Sequence, residues 1–352
     1  MASARSGQHL AAILRSKGSH LDVTHRPTPT PGPNEILVAP RSIAINPIDY
    51  FQRETGYVID TYPTVVGSDI GGTVVSTGPS VPAEMFKPGT RIAAFAPCFF
   101  KRGDPDYGAF QARVLVPSVS AVPIPEGMSF TEASLLPMAI VTAWAGLYSI
   151  GVPLDPAYTA ADKKGILVWG GSSSVGSTTV QVARLLGYHV YATASEKHHA
   201  YIEELGAHRT FDYKRDDVVA SIVQAAKEDG VALQTGYNAV GALRQCLDVL
   251  KEFKGSSSAG SLKIASATRI PDPAPVEEGI EVKFVSSPKD ADERADFSRF
   301  VFHTWLQGKL ASREFVPSPK IQLVDGGLEG LNNALDLWKK GVSGTKLVVE
   351  VD

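Results

Sequence analysis

The stretch Ile166-Leu-Val-Trp-Gly-Gly-Ser-Ser-Ser-Val-Gly176 decides how this chain is read. Its apolar opening suits a short buried strand, the small residues that follow permit a tight turn, and 177–186 continue as an amphipathic helix. Gly171-x-Ser173-x-x-Gly176 is the glycine pattern of a dinucleotide-binding turn with serine in the middle position. Such a turn brings backbone close to a pyrophosphate and aims the first N–H groups of the helix at it. Gly171, Ser172, Ser173, Ser174 and Val175 are therefore candidate cofactor contacts. Taken alone, the same residues also suit a plain strand–helix turn. The serines do not spell G-x-S-x-G, so a hydrolase elbow is not supported.

Downstream, the pattern repeats. Strands are expected at 165–169, 189–194, 209–211, 235–238 and 261–267, alternating with helices at 177–186, 197–205, 218–227 and 242–251. That alternation predicts right-handed βαβ units in a parallel, doubly wound sheet. Upstream lie short strand candidates at 9–14, 35–39, 70–77, 91–95 and 111–116, with Pro88-Gly89 as a turn signal. They fit an antiparallel, partly barrel-like β domain. The tract 26–33 carries too many prolines for a helix or central strand and reads as an extended surface connection. Helical spacing runs over 130–150, with Ser129 and Thr131 as N-caps. Helices at 292–310 and 328–340 and a strand at 346–351 close the chain; 255–261 reads as a connector.

Composition excludes several classes. The 352 residues carry 34 Lys+Arg against 37 Asp+Glu, a net charge of −3, and no basic stripe that would mark a polyanion binder. With 43% hydrophobic and 20% charged residues the chain is ordinary for a globular protein of about two domains. Two cysteines, Cys98 and Cys246, support neither a disulfide framework nor a four-ligand zinc cage and read as packed thiols. No apolar run approaches the roughly 18 residues needed to span a bilayer. Residues 1–18 hold Arg5, Arg15 and no acid, as leaders do, but the strand at 9–14 begins within them, so a mature cytoplasmic protein is expected.

The end of the second strand selects the cofactor. A carboxylate about 20 residues beyond the glycines commonly grips the ribose hydroxyls of NAD. Here Ser195 stands near that position, followed by Glu196 and Lys197. Serine and lysine suit a 2′-phosphate that a carboxylate would repel, so NADPH is expected, although Glu196 reaches the ribose if the register slips by one.

Further motifs resemble the medium-chain dehydrogenase/reductase superfamily, in its zinc-independent quinone oxidoreductase and enoyl reductase branch. Ala44-Ile-Asn-Pro-Ile-Asp49 resembles A-I-N-x-x-D, and Pro63-Thr-Val-Val-Gly-Ser-Asp-Ile-Gly-Gly-Thr-Val74 resembles P-x-x-x-G-x-[DE]-x-x-G-x-V. Pro88-Gly89-x-Arg91, Gly108-Ala-Phe110 and Leu136-Pro-Met-Ala-Ile-Val-Thr-Ala-Trp144 also match, as does the tail 341–351, where Thr345 replaces a glycine. The Gly-Gly-Ser-Ser-Ser turn is similar to that of the fungal trans-acting enoyl reductases. Where zinc alcohol dehydrogenases carry a cysteine and G-H-E, this chain has Asn46 and Gly67-Ser-Asp69, and the four-cysteine lobe is missing, so no metal site is expected.

The resemblance implies an α/β protein: a doubly wound parallel Rossmann sheet plus a GroES-like, mainly antiparallel β catalytic domain. The GroES-like part would span 1–138 and be completed by 288–352, with the NADPH-binding domain at 139–287. It implies that Asn46 and Thr142 lie by the nicotinamide, and that Tyr57 resembles a tyrosine proposed as proton donor, with Tyr50 as competitor. Tyr213 aligns with a tyrosine at the adenosine phosphate, and Lys346 with a basic residue near the pyrophosphate. Their plainer readings are a turn residue (Asn46), a helix hydroxyl bonded to its own backbone (Thr142), packing tyrosines (Tyr57, Tyr213) and a surface lysine (Lys346). His198-His199 lacks partners at metal-ligand spacing. The implied reaction is hydride transfer to an activated C=C bond of a small molecule, such as a polyketide or enoyl thioester bound above the carboxyl ends of the strands. Rival readings are a quinone or carbonyl reductase and an NADPH-binding sensor without turnover. A monomer, or a homodimer through a sheet edge at 281–285, is expected, with no nucleic acid or membrane partner.

Overall fold

The structure is a computed structural model; it describes residues 7–155, 158–255 and 261–351, so residues 1–6 of the leader-like segment and most of the 255–261 connector lie outside it. The chain divides into two compact units, Met1–Met138 with Ala295–Asp352, and Ala139–Arg294. The second unit closes later than the expected 287, since the Tyr148 hydroxyl donates to Glu293 at 3.2 Å.

The first unit opens with the antiparallel pair β1 (Gln8–Leu14) and β2 (Leu21–Pro27). Then come β3 (Glu35–Ala44), α1 (Pro47–Thr55), β4 (Asp69–Thr77), β5 (Arg91–Phe95), β6 (Val114–Pro117), β7 (Ala121–Pro123) and α2 (Phe130–Ser134). Three elements here escaped sequence reading: β2, α1 and the three-residue β7. β2 runs into the proline tract because Pro27 sits at its end opposite Gln8, where its missing N–H costs little. α1 is short and mostly polar, yet its stop and start signals are present: Asn46 as N-cap, Pro47 in the first turn, Asp49 completing a capping box, and Gly56 left-handed at the end. The strand expected at 111–116 begins only at Val114, since the Gln111 side chain is committed to His9 at 2.9 Å.

The helix expected over 130–150 is broken. α3 (Pro137–Ser149) is separate from α2, because proline offers no N–H and disfavours helical backbone at Leu136 before it. By length and hydropathy Phe130–Ser149 would pass as a membrane span, contrary to expectation, but 72% of that window is buried inside the protein.

The second unit contains β8 (Lys164–Trp169), α4 (Ser174–Leu185), β9 (His189–Ala194), α5 (His199–Glu204), β10 (Arg209–Asp212), α6 (Val218–Glu228), β11 (Ala232–Asn238), α7 (Leu243–Leu250), β12 (Leu262–Ser266) and β13 (Ile280–Phe284). All six strands are parallel in the order β10-β9-β8-β11-β12-β13. Counted within the unit this is 3-2-1-4-5-6, the doubly wound dinucleotide arrangement. Leu167, Tyr191, Leu233 and Ile264 from the sheet pack with Ile222 and Leu247 from the helices. The helix expected from 197 starts as a 3-10 turn, Glu196–His198. β13 is an edge strand, with Phe284 exposed.

The chain then returns to the first unit through α8 (Ala291–Arg299), which passes through a π-helical stretch, Phe300–Leu306, into α9 (Gln307–Ala311). β14 (Lys320–Leu323), unforeseen, pairs parallel with β15 (Thr345–Glu350); between them lies α10 (Leu331–Lys340). The resulting seven-stranded sheet runs β14-β15-β3-β4-β5-β7, with β6 also on β3, and is antiparallel apart from the β14–β15 pair. Its core includes Ile36, Ile70, Ile92 and Phe110 against Leu331 and Leu335.

Candidate functional site

The turn after β8 explains each residue of its motif. Gly170 is left-handed at φ 91°, and any side chain there would meet Val240. A Cβ on Gly176 would stand 2.1 Å from the Gly170 carbonyl oxygen, so the helix can pack this close only with glycine. Ser173 replaces the middle glycine because it caps α4: its Oγ accepts the Gly176 N–H at 3.0 Å and donates to the Gly170 carbonyl at 2.8 Å. That cap starts the helix at Ser174, earlier than the periodicity indicates. The first N–H groups of a helix have no intrahelical acceptor, and with Gly176 satisfied, those of Ser174 and Val175 point outward. The Ser174 hydroxyl is buried without a hydrogen-bond partner. A helix N-terminus with two N–H groups left over beside an orphaned hydroxyl suits a phosphate oxygen. Gly171 packs under the loop, where a Cβ would lie 3.1 Å from Ala192, and Ser172 stays half-buried.

At the same end of the sheet, β9 and β10 finish in register at Ala194 and Asp212. Ser195 is 8% exposed and its hydroxyl donates to Tyr213 Oη at 3.4 Å. Tyr213 is thereby tied to the site although its ring is exposed. Glu196 and Lys197 follow in the exposed 3-10 turn, so the register puts serine at the strand end and not Glu196. Thr142, half-buried on α3, accepts the Tyr237 hydroxyl on its carbonyl at 2.7 Å.

In the first unit a polar cluster is sealed under the sheet. Asn46 donates from Nδ2 to Asp69 Oδ2 at 2.9 Å and accepts from Lys346 Nζ on Oδ1 at 2.7 Å. Lys346 Nζ also reaches Asp69 Oδ2 at 2.9 Å, and Asp69 Oδ1 accepts the Met138 N–H at 2.6 Å. Asp49 accepts the Asn46 N–H at 2.8 Å, while its second oxygen is buried without a partner. Burial pushes the Asp49 carboxyl up to about 8, helped by Asp69 and opposed by the Asn46 N–H and Lys346. Cys98 contacts Ser68 and Gln52 at 3.5 Å, and burial lifts its thiol to about 12. Both cysteines are indeed buried thiols.

This arrangement corrects the surface-lysine reading of Lys346 and adds a structural role for Asn46. Lys346 is no surface lysine: it is 4% exposed, and its charge is balanced inside the β unit by Asp69. Asn46 is 3% exposed and spends its amide on Asp69 and Lys346, so it acts as a keystone of the cluster. Nor do Asn46 and Tyr57 come together. One precedes α1 and the other follows it, separated by nine residues of helix, roughly 14 Å along the axis. Tyr57 is 52% exposed, whereas Tyr50 packs against Trp338. The Asn46–Asp69–Lys346 contact was missed because its members are far apart in the chain; the available signal was a charge placed in each of two apolar strands.

A six-stranded dinucleotide sheet in one unit and a mainly antiparallel β sheet in the other define the class of two-unit dehydrogenases. Residues 32–126 match the alcohol dehydrogenase GroES-like domain and residues 174–290 the zinc-binding dehydrogenase domain. The chain is 44% identical over 344 residues to a trans-enoyl reductase of Aspergillus flavipes, covering 97% of this chain and 99% of that one. It is also 44% identical over 297 residues to a trans-enoyl reductase of Aspergillus terreus, covering 84% and 97%. A putative zinc-dependent alcohol dehydrogenase protein from Rhizobium etli has the same fold, with a TM-score of 0.78 at 20% identity over 98% of each chain. The chain belongs to the medium-chain dehydrogenase/reductase superfamily, in its enoyl reductase branch, and is an oxidoreductase.

Zinc does not fit here. The ammonium of Lys346 lies between Asn46 and Asp69, and a divalent cation would be repelled by it. Among the described residues no three His, Cys, Asp or Glu side chains converge on a metal site.

Proposed function

We propose that the protein is a zinc-independent, NADPH-dependent reductase of an activated C=C bond, of the enoyl or enone type. The similarity over nearly the whole chain to two trans-enoyl reductases carries the reading. The turn after β8 fits a dinucleotide, since the Ser174 hydroxyl and the N–H groups of Ser174 and Val175 await an anionic acceptor. Ser195, Lys197 and Tyr213 would hold the 2′-phosphate: two hydroxyls already joined, with the exposed Lys197 two residues beyond Ser195. The bound cofactor supplies a hydride for the β-carbon of the alkene. Thr142, whose hydroxyl makes no hydrogen bond among the described residues, would orient the nicotinamide. Tyr57 would hand its phenolic proton to the α-carbon as the enolate collapses.

Lys197→Ala is expected to weaken NADPH about tenfold while leaving NADH within about twofold, as loss of one charge-assisted contact requires. Equal losses for both dinucleotides would overturn the assignment. Gly176→Ala is expected to force the Gly170 carbonyl away and weaken dinucleotide binding by at least about tenfold in calorimetric titration. The acceptor is settled by NADPH oxidation against 2-enoyl thioesters, enones, quinones and aldehydes. Failure of all four with NADPH still bound would favour a sensor, and turnover of quinones or aldehydes alone would favour the rival reductases.

A further inference from the structure

From Ala139 to Leu147 every residue of α3 is buried except Thr142, and Thr142 carries the one hydroxyl of that stretch. Apolar contacts have no direction, so a helix buried nearly all round lacks the polar face that would fix its rotation about its axis. A directional bond supplies that here. Tyr237, wholly buried on β11, donates its hydroxyl to the Thr142 carbonyl at 2.7 Å. A helical carbonyl already accepts the N–H four residues on, and its second lone pair takes the phenol. The residue four on is Gly146, and its missing side chain is what admits the ring. A Cβ there would stand 2.4 Å from Cε2 of Tyr237 and 2.7 Å from its hydroxyl oxygen. Glycine is unfavourable inside a helix, and this contact explains its presence.

The phenol is a fixed point. β11 and β8 are the two central strands of their sheet, and Tyr237 stands opposite Val168, the last residue but one before the dinucleotide turn. Burial holds the phenol far above its usual range, opposed by the Thr179 hydroxyl of α4, so it keeps its proton and goes on donating. Thr179 is itself buried and donates to the Val175 carbonyl at 2.8 Å. One side chain therefore lies between the helix that carries Thr142 and the helix that opens on the dinucleotide turn.

We infer that Tyr237 is a positioning residue: anchored at the centre of the sheet, its hydroxyl sets the rotation of α3 and with it the aim of the Thr142 hydroxyl. This rests on the reading of Thr142 as the group that orients the nicotinamide, and adds the residue that acts through it.

Binding of two ligands, measured without turnover, tests it. NADPH and 2′-phospho-ADP-ribose, the same molecule without its nicotinamide, are titrated calorimetrically into wild type, Thr142→Val, Tyr237→Phe and the double variant. Wild type should prefer NADPH, and Thr142→Val should cut that preference about fivefold, as loss of one neutral hydrogen bond requires. Tyr237→Phe removes one oxygen and keeps the ring. It should cut the preference about threefold or more, while its affinity for 2′-phospho-ADP-ribose stays within about twofold of wild type. The double variant should be no worse than Thr142→Val, since the phenol acts through that hydroxyl. A preference cut by Thr142→Val but untouched by Tyr237→Phe overturns the positioning role alone. Equal losses of both ligands in Tyr237→Phe overturn it too, as the mark of a phenol that only supports the fold. A full preference in Thr142→Val overturns the nicotinamide reading of Thr142, and the inference falls with it.

Discussion

Replacing Lys346 by methionine is expected to destabilise the β unit by about 3–5 kcal/mol, the usual consequence of removing one partner of a buried ion pair. The Asp69 carboxylate is wholly buried, with its side chain 0% exposed, and Lys346 is its cationic partner. Without Lys346 the Asn46 N–H₂ and the Met138 N–H still donate to Asp69, but no positive charge remains in contact. Desolvation of that carboxylate is then opposed only by those two hydrogen bonds. The double variant Lys346→Met with Asp69→Asn removes both charges and should regain most of the stability, because the cost lies in the orphaned ion and not in the pair. Urea denaturation followed by tryptophan fluorescence measures all three variants. A single Lys346→Met variant as stable as wild type would refute the cluster as described. So would a double variant no better than the single one.

Asp49→Asn is expected to flatten the dependence of stability on pH. The folded carboxyl is raised from an ordinary 3.8 to about 8, chiefly by burial. Between those values the folded chain keeps a proton that the unfolded chain releases, so stability is greatest below about 3.8 and falls as pH rises towards 8. In the middle of that window the loss approaches about 1.4 kcal/mol per pH unit. Asparagine keeps an oxygen to accept the Asn46 N–H and so preserves the cap of α1, but it cannot ionise. The variant should therefore gain on wild type progressively from pH 5 to 8, and near pH 4 the two should converge. Thermal unfolding across that range checks the slope. An Asp49→Asn protein with the wild-type slope would show that Asp49 is ionised in the folded state.

Much of the fold was legible in local sequence. The order of alternating strands and helices around Ile166 needed only periodicity, since each parallel strand is buried and continuous in hydrophobicity. The tight turn after β8 was legible too, because its requirements are local: glycine where a Cβ would strike backbone at Gly176, and a capping hydroxyl at Ser173. Short elements governed by caps and not by hydrophobic rhythm were missed, as with α1. The break at Pro137 was passed over because apolar residues continue through it.

The sequence by itself determined the superfamily, the doubly wound sheet, the tight turn after β8, and the presence of Asn46 and Gly67-Ser-Asp69 where zinc alcohol dehydrogenases carry a cysteine and G-H-E. Those features are written in residue type and near-neighbour spacing. Only the tertiary structure decided that Lys346 neutralises Asp69 directly with Asn46 bonded to both, that Asp49 is left half-satisfied in the interior, and that Tyr57 stands a helix length from Asn46. The first two depend on strands that bring distant parts of the chain together and on a burial that turns an ordinary charge into one that must be paired or neutralised; the third depends on the length of α1.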